Sequence, residues 1–138
     1  MSNMTLKKLL IVLPLICLAG CKSRPDKSNV LHQSYASFLT VDSIVHDFGT
    51  IKESDGVVSH RFVVMNTGTE KCVIDDVVSG CGCMAAYCSS RPFRKGDTAV
   101  VTVAYNPEGR SGAFRKRVMI FADGGKHYLM TEIMGQVE

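Results

Sequence analysis

Thr98-Ala99-Val100-Val101-Thr102-Val103-Ala104-Tyr105, closed by Asn106-Pro107, is the stretch that decides the fold class. Ala99, Val101, Val103 and Tyr105 recur with period two, which places them on one face of a half-buried strand. Asn106-Pro107 then ends the strand, because asparagine favours turns and proline has no N–H for a ladder. The same grammar extends outward in both directions. Residues 113–121 end at Asp123-Gly124-Gly125, and residues 126–137 close the chain. Toward the amino terminus, residues 84–87 form a short apolar piece. Residues 71–78 stop at Ser79-Gly80, residues 57–65 at Asn66-Thr67-Gly68, and residues 40–48 at Gly49. No window of twelve residues carries the 3.6 period of an amphipathic helix. Seven strands within roughly 100 residues match an all-β immunoglobulin-like β-sandwich, in which two sheets bury their alternating faces together. The chain has no tryptophan, so the Cys…Trp…Cys core of immune-type domains is absent.

A chain of 138 residues provides for one domain and a tail, which excludes a multidomain enzyme. With 46% hydrophobic and 21% charged residues it is not a disordered chain. The formal charge of +3 is inflated by residues 1–20, which hold two lysines and no acid. Without them 14 basic residues face 13 acidic ones, a balance that does not suit a nucleic-acid binder.

Lys7 and Lys8 precede an apolar run over residues 9–18, too short for a membrane span of ~20 residues but suited to a secretory signal. Leu18-Ala19-Gly20-Cys21 resembles the bacterial lipobox. The expectation is that residues 1–20 are removed and that Cys21 carries acyl chains. Several buried chains, at ~0.8 kcal/mol per CH₂, anchor a protein stably to a membrane. Residues 21–39, with Pro25 and a polar first half, are expected to be a flexible tether, and residues 40–138 the domain. The expected location is the bacterial cell envelope. Lys22 after the cysteine, where aspartate marks inner-membrane retention in enteric sorting, favours the outer membrane.

Four cysteines remain in the domain: Cys72, Cys81, Cys83 and Cys88. An exported domain meets an oxidising compartment, so disulfides are expected, with three connectivities open. Cys72 and Cys88 flank an expected hairpin and are candidates to face each other across it. That bridge would close a loop of about seventeen residues and contribute ~3 kcal/mol in the chain-entropy model. In an extended strand Cys81 and Cys83 would hold their Cα atoms about 6.6 Å apart, near the limit for a disulfide, although Gly82 permits a kink. The same two thiolates, with Met84 or a histidine, are candidates to clasp Cu(I) or Zn²⁺. Structural cystines or inert thiols, thiol–disulfide exchange and soft-metal binding therefore all stand open. No second CxC, CxxC or HxxxH completes a ligand set, so no cofactor is assigned.

Hydrolytic and phosphate-binding signatures are missing: there is no GxSxG elbow and no glycine-rich phosphate loop. The expected role is non-catalytic, an anchored structural or binding module that meets an envelope protein through a loop end or an edge strand. Thiol redox or metal handling at Cys81-Gly82-Cys83 is the alternative.

Further motifs punctuate the strands: His46-Asp47-Phe48-Gly49-Thr50-Ile51, Asn66-Thr67-Gly68, Cys81-Gly82-Cys83, Lys95-Gly96-Asp97, Asn106-Pro107, Gly109-Arg110-Ser111-Gly112 and Gly135-Gln136-Val137. Together they resemble the bacterial family catalogued as domain of unknown function 1573, over about residues 44–137. The resemblance implies an immunoglobulin-like domain common in envelope lipoproteins, similar to pilus-chaperone-like and cilium-associated sandwiches, with no activity assigned. Met84 departs from the threonine common after CGC, and Cys72 and Cys88 are additions.

Read as residues, these motifs are mostly structural. Phe48 is expected to plug the core, and Gly49, Gly68, Gly109 and Gly112 to supply positive-φ turns. Asp47 is expected to bond local amides, and His46 to be an ordinary strand-end residue. Asp75 and Asp76 point to opposite faces of a strand. Arg110, Arg115, Lys116 and Arg117 make a basic run; Arg115 and Arg117 share a face, expected at a solvated edge, with a phosphate or lipid-headgroup contact as the other reading.

Overall fold

The computed structural model describes residues 34–138. The signal-like segment, Cys21 and the tether up to residue 33 lie outside the described residues. Nine strands follow in order: β1 (Ser34–Tyr35), β2 (Leu39–Val41), β3 (Val45–Ile51), β4 (Val58–Asn66), β5 (Ile74–Ser79), β6 (Met84–Cys88), β7 (Thr98–Tyr105), β8 (Gly112–Ala122) and β9 (His127–Val137). They form two sheets. One has the order β1-β9-β8-β5, with β3 also pairing β9, and the other has the order β2-β4-β7-β6. The fold is all-β, a sandwich.

The alternation read from the sequence is the alternation observed. Ala99, Val101, Val103 and Tyr105 of β7 are all buried, against Phe62 and Val64 of β4. The facing sheet contributes Val118, Ile120, Leu129, Ile133 and Val137. Each such side chain removed from water stabilises the fold by about 1.5–3 kcal/mol.

Three expectations change. Eight strands have three or more residues, not seven, because the stretch at residues 40–48 divides. Its first part, β2, runs antiparallel to β4, whereas β3 crosses to the other sheet and runs parallel to β9. Asp42 makes the switch: its Oδ1 accepts from the N–H of Ser43 and from that of Val63, both at 3.0 Å. The ordered domain also begins before residue 40. Tyr35 pairs with Tyr128 in β9, and Ala36 and Leu39 are buried, so residues 34–39 belong to the sandwich rather than to the tether. Finally, β5 and β6 are not a hairpin. They are consecutive in sequence but lie in opposite sheets.

Candidate functional site

The sequence motifs gather at the two ends of the sandwich. At one end the chain turns from β5 into β6 through Cys81-Gly82-Cys83, and the two cysteines form a disulfide. Their Cα atoms are 5.2 Å apart. The turn, rather than a strand, brings them within the ordinary disulfide range. Cys81 is half-buried, Gly82 exposed and Cys83 buried. The Cys83 N–H donates to Cys81 Sγ at 3.2 Å, and the Asn106 N–H donates to the Cys83 carbonyl at 2.9 Å. Asn106 in turn accepts at its own carbonyl from Arg110 Nε at 3.3 Å. Gly109 and Gly112 carry φ of +67° and +86° in this turn. Cys81, Cys83, Asn106, Gly109, Arg110 and Gly112 are thus one structural unit.

Cys72 and Cys88 are free thiols, so the bridge expected between them does not form. The reason is the sheet assignment: Cys72 bridges Phe93, while Cys88 ends β6 with its Sγ 4.0 Å from the Ile74 carbonyl. Burial, aided by the Asp123 carboxylate, pushes the Cys72 thiol up to about 12. Burial, then Asp76 and Asp75, also raises Cys88. Thiols react as thiolates, so both are protected. In the folded protein at pH 8, iodoacetamide is expected to leave Cys72 unlabelled and to label Cys88 slowly. After unfolding, peptide mapping should find both labelled. Fast native labelling of Cys72 would show that the site is open. Among the described residues no group of three His, Cys, Asp or Glu side chains is placed to hold a metal ion. Met84 is buried, turned into the core.

A bridge over three residues closes almost no loop. The chain-entropy model gives it about 1.6 kcal/mol, roughly half the value of the seventeen-residue loop. Among the described residues the one disulfide closes a loop that gives the fold little.

The other end joins two motifs into a knot. Asn66 is fully buried. Its Nδ2 donates to the carbonyls of Glu70 at 2.8 Å and Phe93 at 3.1 Å, and its Oδ1 accepts from the Gly68 N–H at 2.9 Å. Its backbone bonds Asp97 and Gly96, so Asn66-Thr67-Gly68 and Lys95-Gly96-Asp97 hold each other. Gly68 has no positive φ, contrary to expectation. A Cβ there would sit 3.0 Å from Phe38 Cβ, so close packing is what requires glycine.

In β3, Asp47 Oδ1 accepts from the Gly49 N–H at 2.8 Å, the local bond expected of it. Gly49, at φ +67°, lies where the β3–β9 register shifts. Phe48 is half-buried against the core and does not plug it. His46 is more than a strand-end residue. Its ring stacks on His60 of β4, with centroids 3.6 Å apart, and both rings meet phenylalanines edge-on, Phe48 and Phe62.

A family model described as Protein of unknown function (DUF1573) matches residues 39–137. The chain belongs to this family. No curated protein matches. Among solved structures, the Vibrio cholerae VesB protease is 15% identical with a TM-score of 0.61, over 72% of this chain and 32% of that one. A protein of unknown function from Porphyromonas gingivalis W83 is 15% identical with a TM-score of 0.59, over 77% of this chain and 48% of that one. The chain spans between a third and a half of the length of those two. The PapD-like domain 7 of human CEP192 is 13% identical with a TM-score of 0.53, over 73% of this chain and 85% of that one. At these identities the likeness is one of fold.

On this DUF1573 domain the outer face of the β1-β9-β8-β5 sheet is apolar over two cross-strand rows. Val78, Met119 and Met130 lie abreast, and beside them Phe121, Tyr128 and Tyr35, a row that ends at exposed Asp76 on β5. Tyr35 is 55% exposed, Val78 44% and Met130 38%. The next row is ionic. Arg115 and Arg117 both bond the Glu132 carboxylate. The hydrogen bond from Arg115 leads in holding the Glu132 carboxyl below the usual carboxylate range. β5 pairs only with residues 118–122 of β8, so at Arg115 and Arg117 β8 has β9 on one side and an open, solvated edge on the other, as expected.

The histidine stack carries a pH dependence. Burial, then the His46 charge, holds His60 below its usual range, against an opposing pull from Asp42. His60 Nε2 is buried without a hydrogen-bond partner. The unfolded chain therefore takes up a proton at His60 before the folded one does. The stability contribution is complete above about pH 6.5 and is lost as pH falls through the lower folded value. Urea unfolding at pH 7.5 and pH 5.5 is expected to show this loss in the native protein and a smaller loss in His60→Phe. Equal losses would remove the stack as the cause.

Proposed function

We propose that this DUF1573 protein is a lipid-anchored component of the bacterial cell envelope whose sandwich binds a protein partner and catalyses no reaction. The observation that carries the reading is the apolar face around Val78, Met119 and Met130, which no other described residues cover, since contiguous exposed apolar surface rimmed by charge marks interaction sites. The anchor rests on Leu18-Ala19-Gly20-Cys21, and Lys22 favours the outer membrane. A photo-crosslinking residue in place of Met119, in the full-length membrane-bound protein, tests the reading. One discrete adduct is expected, absent when Thr40 on β2 of the opposite sheet carries the crosslinker and lost when Val78→Asp is added. Identical adducts from both sheets, or none, would contradict it.

A second reading is favoured by the Cys81–Cys83 bridge itself, which sits in an open turn and spans the shortest of loops. It makes Cys81-Gly82-Cys83 a thiol–disulfide site. Soft-metal handling by the same sulfurs is less well supported, because Met84 faces the core. Dithiothreitol is expected to open the bridge with the circular dichroism of the fold unchanged. A bridge that opens only on unfolding would end this reading.

A further inference from the structure

Resting on that second reading, we propose that Cys81 is the exchanging sulfur and Cys83 the resolving one, and that their partner is a protein dithiol that docks on the neck between Val57 and Tyr87.

The geometry separates the two sulfurs. Cys81 is half-buried beside exposed Gly82, whereas Cys83 is buried, so an incoming thiolate reaches Cys81. The Cys83 N–H points at Cys81 Sγ, at 3.2 Å, and favours negative charge there. The exposed, amide-stabilised sulfur is thus the amino-terminal one. Neither free thiol can replace Cys83 as the resolving group. Cys88 lies four positions beyond Met84, about 13 Å along β6 at ~3.3 Å per residue. Cys72 is buried at the opposite end, paired with Phe93.

The step balances with the partner's two thiols as the reductant. One partner thiolate attacks Cys81 Sγ. A mixed disulfide forms, the Cys81–Cys83 bond breaks, and the electron pair leaves on Cys83 Sγ, which takes a proton. The partner's second thiol, giving up its proton, attacks its own sulfur in the mixed disulfide, and the pair leaves on Cys81 Sγ under the Cys83 amide. The partner ends as a disulfide and this protein as the Cys83 thiol and the Cys81 thiolate, with two electrons and one proton transferred. The reverse sequence begins at the Cys81 thiolate and oxidises a partner.

The surroundings suit a protein rather than a small thiol. A cleft of about 240 Å³ lies between Val57 and Tyr87 over Ala85 and Ala104, and it meets the bridge at Gly82 and Cys83, the leaving sulfur, with Cys81 beyond its lining. Val57 is 63% exposed and Tyr87 64% exposed. The cleft opens on β6, an edge strand whose free backbone groups can take up an extended segment. The attacked bond and a receptive surface therefore meet at Gly82 and Cys83.

Thioredoxin, used as a generic protein dithiol, tests this on the full-length protein in detergent. A thioredoxin whose second active-site cysteine is serine is expected to stall as a mixed disulfide, and peptide mass mapping should place it on Cys81. Intact thioredoxin is expected to reduce the bridge faster than an equal concentration of dithiothreitol. The double variant Val57→Ser, Tyr87→Ser should slow thioredoxin about tenfold and leave dithiothreitol unchanged. An adduct on Cys83, or equal thioredoxin rates for variant and native protein, would overturn the proposal while the thiol–disulfide reading stands. Failure of dithiothreitol to open the bridge in the folded protein would remove both.

Discussion

Asn66→Leu is expected to cost about 3 kcal/mol of folding stability, and to lower the melting temperature on the order of 15 °C. The side chain is fully buried and of similar size to leucine, so no cavity explains the loss. The loss comes from the groups left behind. The Gly68 N–H and the Glu70 carbonyl lose their side-chain partner, and the Phe93 carbonyl keeps only the Cys72 N–H. A buried backbone group left unpaired costs about 1–3 kcal/mol. Asn66→Asp should be at least as damaging, because it turns a second oxygen toward the carbonyls that Nδ2 now serves. Urea unfolding of the two variants measures both effects. A loss below about 1 kcal/mol in Asn66→Leu would mean that the two turns hold without this residue.

Gly135→Ala is expected to cost about 2 kcal/mol. A Cβ at this position would lie 2.9 Å from the Gly49 carbonyl oxygen and 2.9 Å from the Phe114 ring. Neither can retreat. Gly49 is fixed by its positive φ and by the Asp47 bond, and Phe114 stacks on buried Tyr105 with centroids 4.1 Å apart. Gly80→Ala is the control, since a Cβ there meets nothing within 4 Å and its φ is ordinary. It should be nearly neutral in the same assay. Equal costs for the two substitutions would refute the close approach of β3 and β9.

The strands that read most clearly were those whose partners bury one face only. Thr98–Tyr105 matches its alternating run residue for residue, because both neighbours, β4 and β6, leave its outer face to solvent. The β2–β3 switch was not legible. It depends on Asp42 capping Val63, 21 positions away, and no local pattern reports such a bond. The cysteines show the same limit. Cys72 and Cys88 flank a turn and look like cross-strand neighbours, yet β5 and β6 part into different sheets there. The CGC bridge was legible as geometry with a kink at Gly82, and the turn supplies that kink. Asn66 read as a turn residue, which it is. Its link to Phe93, 27 positions on, is what makes it costly to remove. The stacked histidines carried no signal, because stacking across β3 and β4 requires both registers to be known.

Mass spectrometry of the protein purified from membranes, alkylated before and after unfolding without reductant, tests the central claim most directly. The expected result is a mature chain that begins at acylated Cys21, carries one bridge between Cys81 and Cys83, and yields two thiols on unfolding, Cys72 and Cys88. A chain that keeps residues 1–20 or lacks acyl mass would contradict the anchor. A bridge joining Cys72 to Cys88 would contradict the site.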